Sequence, residues 1–243
     1  MQEEYTLAEL ARLLHKTEKE VLRDMEKGLL EGRKTRDQWI FSLKNVVNYI
    51  TNNIIDVHVA DKELRDLIAR TAEHARQEQA FFLKDLLSYD LAQVPLIARS
   101  SEAVIRDMTQ NAANSGRLWD LDRMRDAIRE REQLCSTAMP NGVAILHSRY
   151  RMPGNISESF VALAVLPAPI AFGGGFNRLT DIFFFVCCSD DSIHLRALAK
   201  LARIMGRPGF LDALRETTSG AEAVDLIART ESELIDETEQ KQA

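Results

Sequence analysis

Apolar residues recur at helical spacing through Leu7, Leu10, Ala11, Leu13 and Leu14, behind Thr6, a residue suited to an N-cap. Thr17 and Glu20 carry the signature of a capping box. Val21, Leu22 and Met25 then give a second helix its buried face before Gly28 ends it. From Leu29 to Phe41 the apolar residues lie near both ends of a stretch whose middle, Gly32-Arg33-Lys34-Thr35-Arg36-Asp37, is rich in turn and charged residues; this predicts a hairpin. A helix over Leu43–Ile50 closes the unit. Beyond it, Leu64, Leu67, Ile68 and Ala72 predict a linker helix, read either as a spacer or as a dimer-forming helix.

The rest of the chain alternates. The pattern predicts a short helix at Leu83–Leu87, a strand near Leu91–Ile97, and helices from Glu102 and from Leu121. Strands follow near Val143–Leu146, Phe160–Leu166 and Ile182–Cys187, and then helices over Ile193–Met205, Pro208–Arg215 and Ala221–Ile227. That mixture predicts an α/β fold with a mixed sheet flanked by helices, preceded by a small helical module. The expected organisation is a module at 1–52, a linker helix at 53–81, a larger domain at 82–235 and a polar tail at 236–243.

Composition narrows the function classes. Apolar residues make up 45% and charged residues 28% of 243, as in a globular rather than a disordered protein. The most apolar stretch, Phe160–Gly175, is cut by Pro167, Pro169 and three glycines, so no membrane insertion is expected. The start, Met1-Gln2-Glu3-Glu4, has neither a basic flank nor an apolar core, which predicts a cytoplasmic protein. Cys135, Cys187 and Cys188 are too few for a disulfide framework. No Cys-x-x-Cys pair or His-Glu-x-x-His helix is present, so neither a metal nor another cofactor is expected.

The chemistry concentrates in Arg131-Glu132-Gln133-Leu134-Cys135-Ser136-Thr137, followed by Asn141-Gly142, the strand Val143-Ala144-Ile145-Leu146, and His147-Ser148-Arg149. A neutral imidazole is nucleophilic near neutral pH and takes a phosphoryl group reversibly, which suits a group that must pass it on. This order of residues resembles enzyme IIA of the bacterial phosphotransferase system, in its fructose, mannitol and nitrogen-regulatory branch. The resemblance spans roughly Phe82 to Glu231, with Leu83-Lys84-Asp85-Leu86-Leu87-Ser88 like the family's opening helix and His194-Leu195-Arg196-Ala197-Leu198 like its later His-led helix. It implies that His147 is the nucleophile, that His194 donates to the phosphoryl oxygens and that Arg131 orients the site, with Ser136, Thr137 and Ser148 as hydroxyl donors. The implied partner is a phosphocarrier protein. Two departures stand out: Leu146 replaces the proline common before the active histidine, and Phe172-Gly173-Gly174-Gly175-Phe176 does not follow the family pattern.

The first 50 residues resemble excisionase-type winged helix-turn-helix modules. They hold nine basic and nine acidic residues, so DNA binding would depend on local placement: Lys19 and Arg23 on the second helix, Arg33, Lys34 and Arg36 on the wing. Glu18 and Glu20 oppose it, and a protein-binding module is the alternative. For the whole chain the leading reading is a regulator that accepts a phosphoryl group and couples it to DNA or protein binding. A transport component that passes the group to a IIB protein, and a nonphosphorylatable binding module, are the alternatives.

Overall fold

The computed structural model describes residues 4–14, 16–35, 38–43, 45–46, 49–50, 82–173 and 179–240. The expected linker helix, with its dimer reading, lies outside the described residues, as do Arg36, His15, His58, His74 and residues 174–178. The chain divides into two compact units, Met1–Gln77 and Glu78–Ala243.

In the first unit β1 (Glu4–Thr6) leads into α1 (Leu7–Leu13), and α2 (Glu18–Glu26) follows. Thr6 and Thr17 each close a full capping box, with Glu9 and Glu20 respectively, so both helix starts have their free backbone donors satisfied locally. β2 (Arg33–Lys34) and β3 (Trp39–Ser42) form the expected hairpin, and β3 also pairs with β1. β1 was not foreseen, because three residues carry no period of their own. Residues 43, 45, 46, 49 and 50 are helical. Leu10, Val21, Phe41, Val46 and Ile50 are fully buried, joining the helices to the sheet through one small core.

The second unit opens with a single 3-10 turn, Leu83–Asp85, where a short helix was expected, and β4 (Leu87–Gln93) begins earlier than the apolar run suggested. Next come α3 (Ser101–Asn114), α4 (Leu121–Leu134), β5 (Val143–Leu146), β6 (Phe160–Ala171), β7 (Leu179–Cys187), α5 (Asp191–Met205), α6 (Phe210–Glu216) and α7 (Gly220–Gln240). α7 runs well beyond the expected Ile227, so residues 236–240 of the expected tail are helical.

The four strands lie in the order β4-β6-β7-β5. β4 pairs with β6 and β5 with β7 in parallel, while β6 and β7 are antiparallel, so the sheet is mixed as expected. The β6 register shifts between Val165 and Ile170, where Pro167 and Pro169 lie exposed; proline cannot donate to a ladder and collects at such irregularities. One face, with Ala144, Leu146, Ala162, Ala164, Phe183 and Phe185, packs on Val104, Ile105 and Met108 of α3 and Met124 and Ile128 of α4. The alternate residues Val143, Ile145, Leu163, Ile182 and Phe184 are also buried and face the layer of α5, α6 and α7. Burial on both faces is why Phe183-Phe184-Phe185 reads as an unbroken apolar run.

Candidate functional site

Parallel pairing of β5 with β7, Val143 opposite Ile182 through Leu146 opposite Phe185, brings the carboxyl ends of both strands to the same edge of the sheet. His147 follows β5 directly. α5 starts four residues after β7 ends, with Asp190 as its N-cap accepting from the Ile193 amide, and His194 lies in its first turns. Topology therefore brings together two histidines 47 positions apart in sequence: their ring centroids are 5.4 Å apart. Leu146 belongs to β5 and is fully buried, so the residue replacing the family's proline extends a paired strand.

The Asn141-Gly142 turn fixes where β5 begins. Gly142 has φ +85°, and its carbonyl accepts from the Asp181 and Ile182 amides at 2.9 and 3.1 Å. Arg215 reaches across from α6, donating to the Asn141 carbonyl at 2.7 Å and to both oxygens of Asp181 at 2.7 and 3.0 Å. The strand that leads into His147 is thus held at its start by a glycine turn and an arginine clamp.

His147 is 1% exposed and His194 2%. His147 Nδ1 lies 2.9 Å from the Ile145 carbonyl, which can only accept, so Nδ1 carries the proton. Nε2 accepts from Arg131 Nε–H at 3.3 Å. This pair of bonds selects one neutral tautomer and leaves Nε2 as the basic nitrogen. Burial, with the nearby Arg131 and Arg151 charges, holds the His147 imidazole well below the usual histidine pKa. His194 is held down in the same way by burial, Arg151, His147 and Arg131. Both rings are therefore neutral at physiological pH. His147 directly follows the end of β5, and its ring is enclosed.

Arg131, in the last turn of α4, is 2% exposed. Its Nη1 donates to the Cys135 carbonyl, while Nη2 has no hydrogen-bond partner. Neither ring nitrogen of His194 has one either. An unpaired buried polar group costs about 1–3 kcal/mol, so three such atoms beside the His147 imidazole mark a place built for a polar guest.

The three hydroxyls do not join the imidazoles. Thr137 donates to Glu132 at 2.5 Å while its amide bonds the same carboxylate at 3.1 Å, Ser136 accepts from the Ala138 amide at 3.1 Å, and Ser148 donates to the Tyr150 carbonyl at 2.7 Å. They shape the segments on either side of the site. Burial raises the pKa of Glu132, against the pull of its Thr137 bonds. Gly173, φ +83°, packs so closely on this loop that an added Cβ would lie 1.9 Å from Ser136 Oγ.

Arg151 was not singled out in the sequence. Its Nη2 donates to the Ser148 carbonyl at 3.1 Å and its Nε lies 3.6 Å from Asp191 Oδ1. Two arginines at 149 and 151 after a histidine are no motif, and only the fold reveals the proximity. In the first unit Lys19 and Arg23 are exposed on α2 and Lys34 on β2, whereas Arg33 is paired with Glu4 at 2.8 Å. Among the described residues no group of three metal-ligating side chains exists, and no helix is long and apolar enough to cross a membrane.

Comparison with known proteins identifies a family and a fold. The family model described as phosphoenolpyruvate-dependent sugar phosphotransferase system, EIIA 2, matches residues 85–230. Nitrogen regulatory protein IIA-Ntr from Neisseria meningitidis is similar in structure, with TM-score 0.53 and 19% identity over 59% of this chain and 97% of that one. IIA mannitol from Escherichia coli aligns with TM-score 0.51 and 17% identity over 58% of this chain and 98% of that one. A putative PTS IIA domain from Streptococcus pyogenes M1 GAS aligns with TM-score 0.53 and 19% identity over 62% and 98%. At these identities the structural likeness concerns the fold. A search of curated proteins finds no match.

Proposed function

We propose a function that starts from the family: the chain belongs, through residues 85–230, to the phosphoenolpyruvate-dependent sugar phosphotransferase system EIIA 2 family. On that basis His147 accepts a phosphoryl group from a phosphocarrier protein. The observation that carries this reading is a buried, neutral imidazole locked as its Nδ1–H tautomer beside unpartnered nitrogens of Arg131 and His194.

The Nε2 lone pair forms the N–P bond while the bond from phosphorus to the donor's leaving atom breaks and its electron pair returns to the donor. The proton stays on Nδ1, donated as a hydrogen bond to the Ile145 carbonyl, so the ring takes up a positive charge as the N–P bond forms and the acceptor needs no separate base. Nε2 has one in-plane lone pair, and the Arg131 hydrogen bond occupies it at rest. Attack therefore requires Arg131 to leave Nε2 and turn its donors to the phosphoryl oxygens. His194 presents a neutral N–H to the same group. Such transfers depend on placement and on charge stabilisation, and donors already free of other bonds cost nothing to recruit.

Incubation with phosphoenolpyruvate, enzyme I and a phosphocarrier protein, read by intact mass, tests the reading. An acid-labile phosphoryl adduct is expected on wild type and not on H147A. No adduct, with the carrier itself phosphorylated, would overturn it. Passage of the group to a IIB protein would make the chain a transport component.

Residues 1–52 read as a winged helix-turn-helix module, supported by two capped helices, a hairpin, and Lys19 and Arg23 exposed on α2. Phosphorylation then acts as an added charge that alters what this cytoplasmic regulator binds. Fluorescence anisotropy with DNA over a salt series tests the module. Affinity that falls with salt, and falls again in K19A/R23A, is expected; salt-independent binding or none would remove the DNA reading.

A further inference from the structure

We propose that Arg151 is a positioning residue of the phosphoryl site: its guanidinium ties the segment carrying His147 to the helix turn carrying His194 and sets a second, largely buried cation beside both rings. The inference rests on the phosphoryl-acceptor reading.

The geometry is a span. Ser148, whose carbonyl accepts a hydrogen bond from Arg151 Nη2 at 3.1 Å, is the residue after His147. Asp191, 3.6 Å from Arg151 Nε, opens α5 and precedes His194 by three residues, one helical turn. The two imidazoles come from different elements, and β-sheet pairing alone leaves the end of β5 and the start of α5 free to shift against each other. A planar guanidinium with donors on both edges holds two such segments at once, which a lysine ammonium does less well.

Charge points the same way. A protein-bound phosphoryl group carries about −1.5 to −2 near neutral pH, and a buried charge needs a partner. Before transfer both imidazoles are neutral, so Arg131 is the one other cation that bears on both rings when the phosphoryl group arrives. The Arg151 side chain is 12% exposed, whereas its counter-charge Asp191 is 39% exposed and better screened by water, so the cation dominates inside the pocket. The charges that act on both rings are those of Arg131 on α4 and Arg151 after β5; Arg131 has Glu132, Cys135 and Arg149 near it, and Arg151 has Cys188 and Cys187 at the end of β7 and Asp191 on α5. Burial pushes both thiols up to about 12, so they stay neutral and offset neither arginine.

The test uses the full chain as wild type, R151Q and R151K, with two readouts: side-chain nitrogen NMR of the histidines during acid titration, and phosphoryl acceptance against carrier concentration. In R151Q both imidazoles should begin to protonate at higher pH than in wild type, since a neighbouring cation is gone. The maximal transfer rate should fall on the order of ten- to a hundredfold with the half-saturating carrier concentration unchanged. R151K, which keeps the charge without the fork, should titrate like wild type and transfer more slowly. Wild-type titration and rate in R151Q would overturn the proposal; should R151Q fail to fold, a wild-type rate in R151K would do so. If wild type itself takes no phosphoryl group while its carrier does, the acceptor reading fails, and the imidazole titration of R151Q still decides whether Arg151 acts on the two rings.

Discussion

At the scale of single residues, the proposed phosphoryl acceptance depends on keeping imidazoles neutral and one guanidinium available. Because His147 is depressed well below the ordinary histidine range, its nucleophilic form persists as pH falls through about 6.5, where a free histidine is half protonated. Transfer to His147 should therefore stay flat from about pH 8 to pH 6, provided the donor is kept saturating; a profile halved near pH 6.5 would place an ordinary, exposed imidazole at the site. Arg131 tests the electrostatic half. R131Q frees the Nε2 lone pair yet removes the donor that meets the developing charge, so acceptance should fall by about 10²–10³-fold in single-turnover experiments. A faster R131Q would mean that the arginine only blocks the nucleophile. His147, His194 and Arg131 were legible in the sequence because family order and residue chemistry coincide there. Arg151 was not, since its partners, a backbone carbonyl and an aspartate 40 positions on, are visible only after folding.

At the scale of elements, the site is as well placed as the turns and caps around it. Gly142→Ala puts a Cβ at φ +85°, 2.7 Å from Arg215 Nη2 and 2.8 Å from Asp181 Oδ1. Left-handed strain alone costs about 1–2 kcal/mol, so the denaturation midpoint should drop even if the clamp yields; an unchanged midpoint would contradict the role given to this turn. Asp190→Ala removes the α5 cap, worth typically about 1 kcal/mol, and should lower stability by that order in the same assay. Which elements the sequence revealed follows from their lengths and surroundings. Strands buried on both faces and helices with an apolar stripe were legible, as was the Thr17 capping box. β1 was too short for a period, β4 hides its start behind the polar Ser88-Tyr89-Asp90, and α7 continues past Ile227 into a mostly polar stretch whose only large apolar residues are Leu234 and Ile235.

For the whole molecule, two histidines buried in neutral form link stability to acidity. The unfolded chain binds protons at both below about pH 6.5 while the folded one does not, so unfolding free energy falls as pH drops through that value, by about 1.4 kcal/mol per pH unit for each histidine once the unfolded ring is fully protonated. H194Q should remove one share of that slope, and an unaltered acid slope would show that His194 does not titrate as described. The fold itself was legible as an α/β domain with a mixed sheet; the meeting of His147 and His194 depends on β5 lying beside β7, a neighbour relation that no local pattern encodes.

The most direct measurement is nitrogen-15 and phosphorus-31 NMR of the labelled full-length chain after phosphorylation by its carrier. An N–P coupling on Nε2 of His147, with the Nδ1 proton retained, is the expected result. Coupling at Nδ1, on His194, or on no histidine at all would contradict the account.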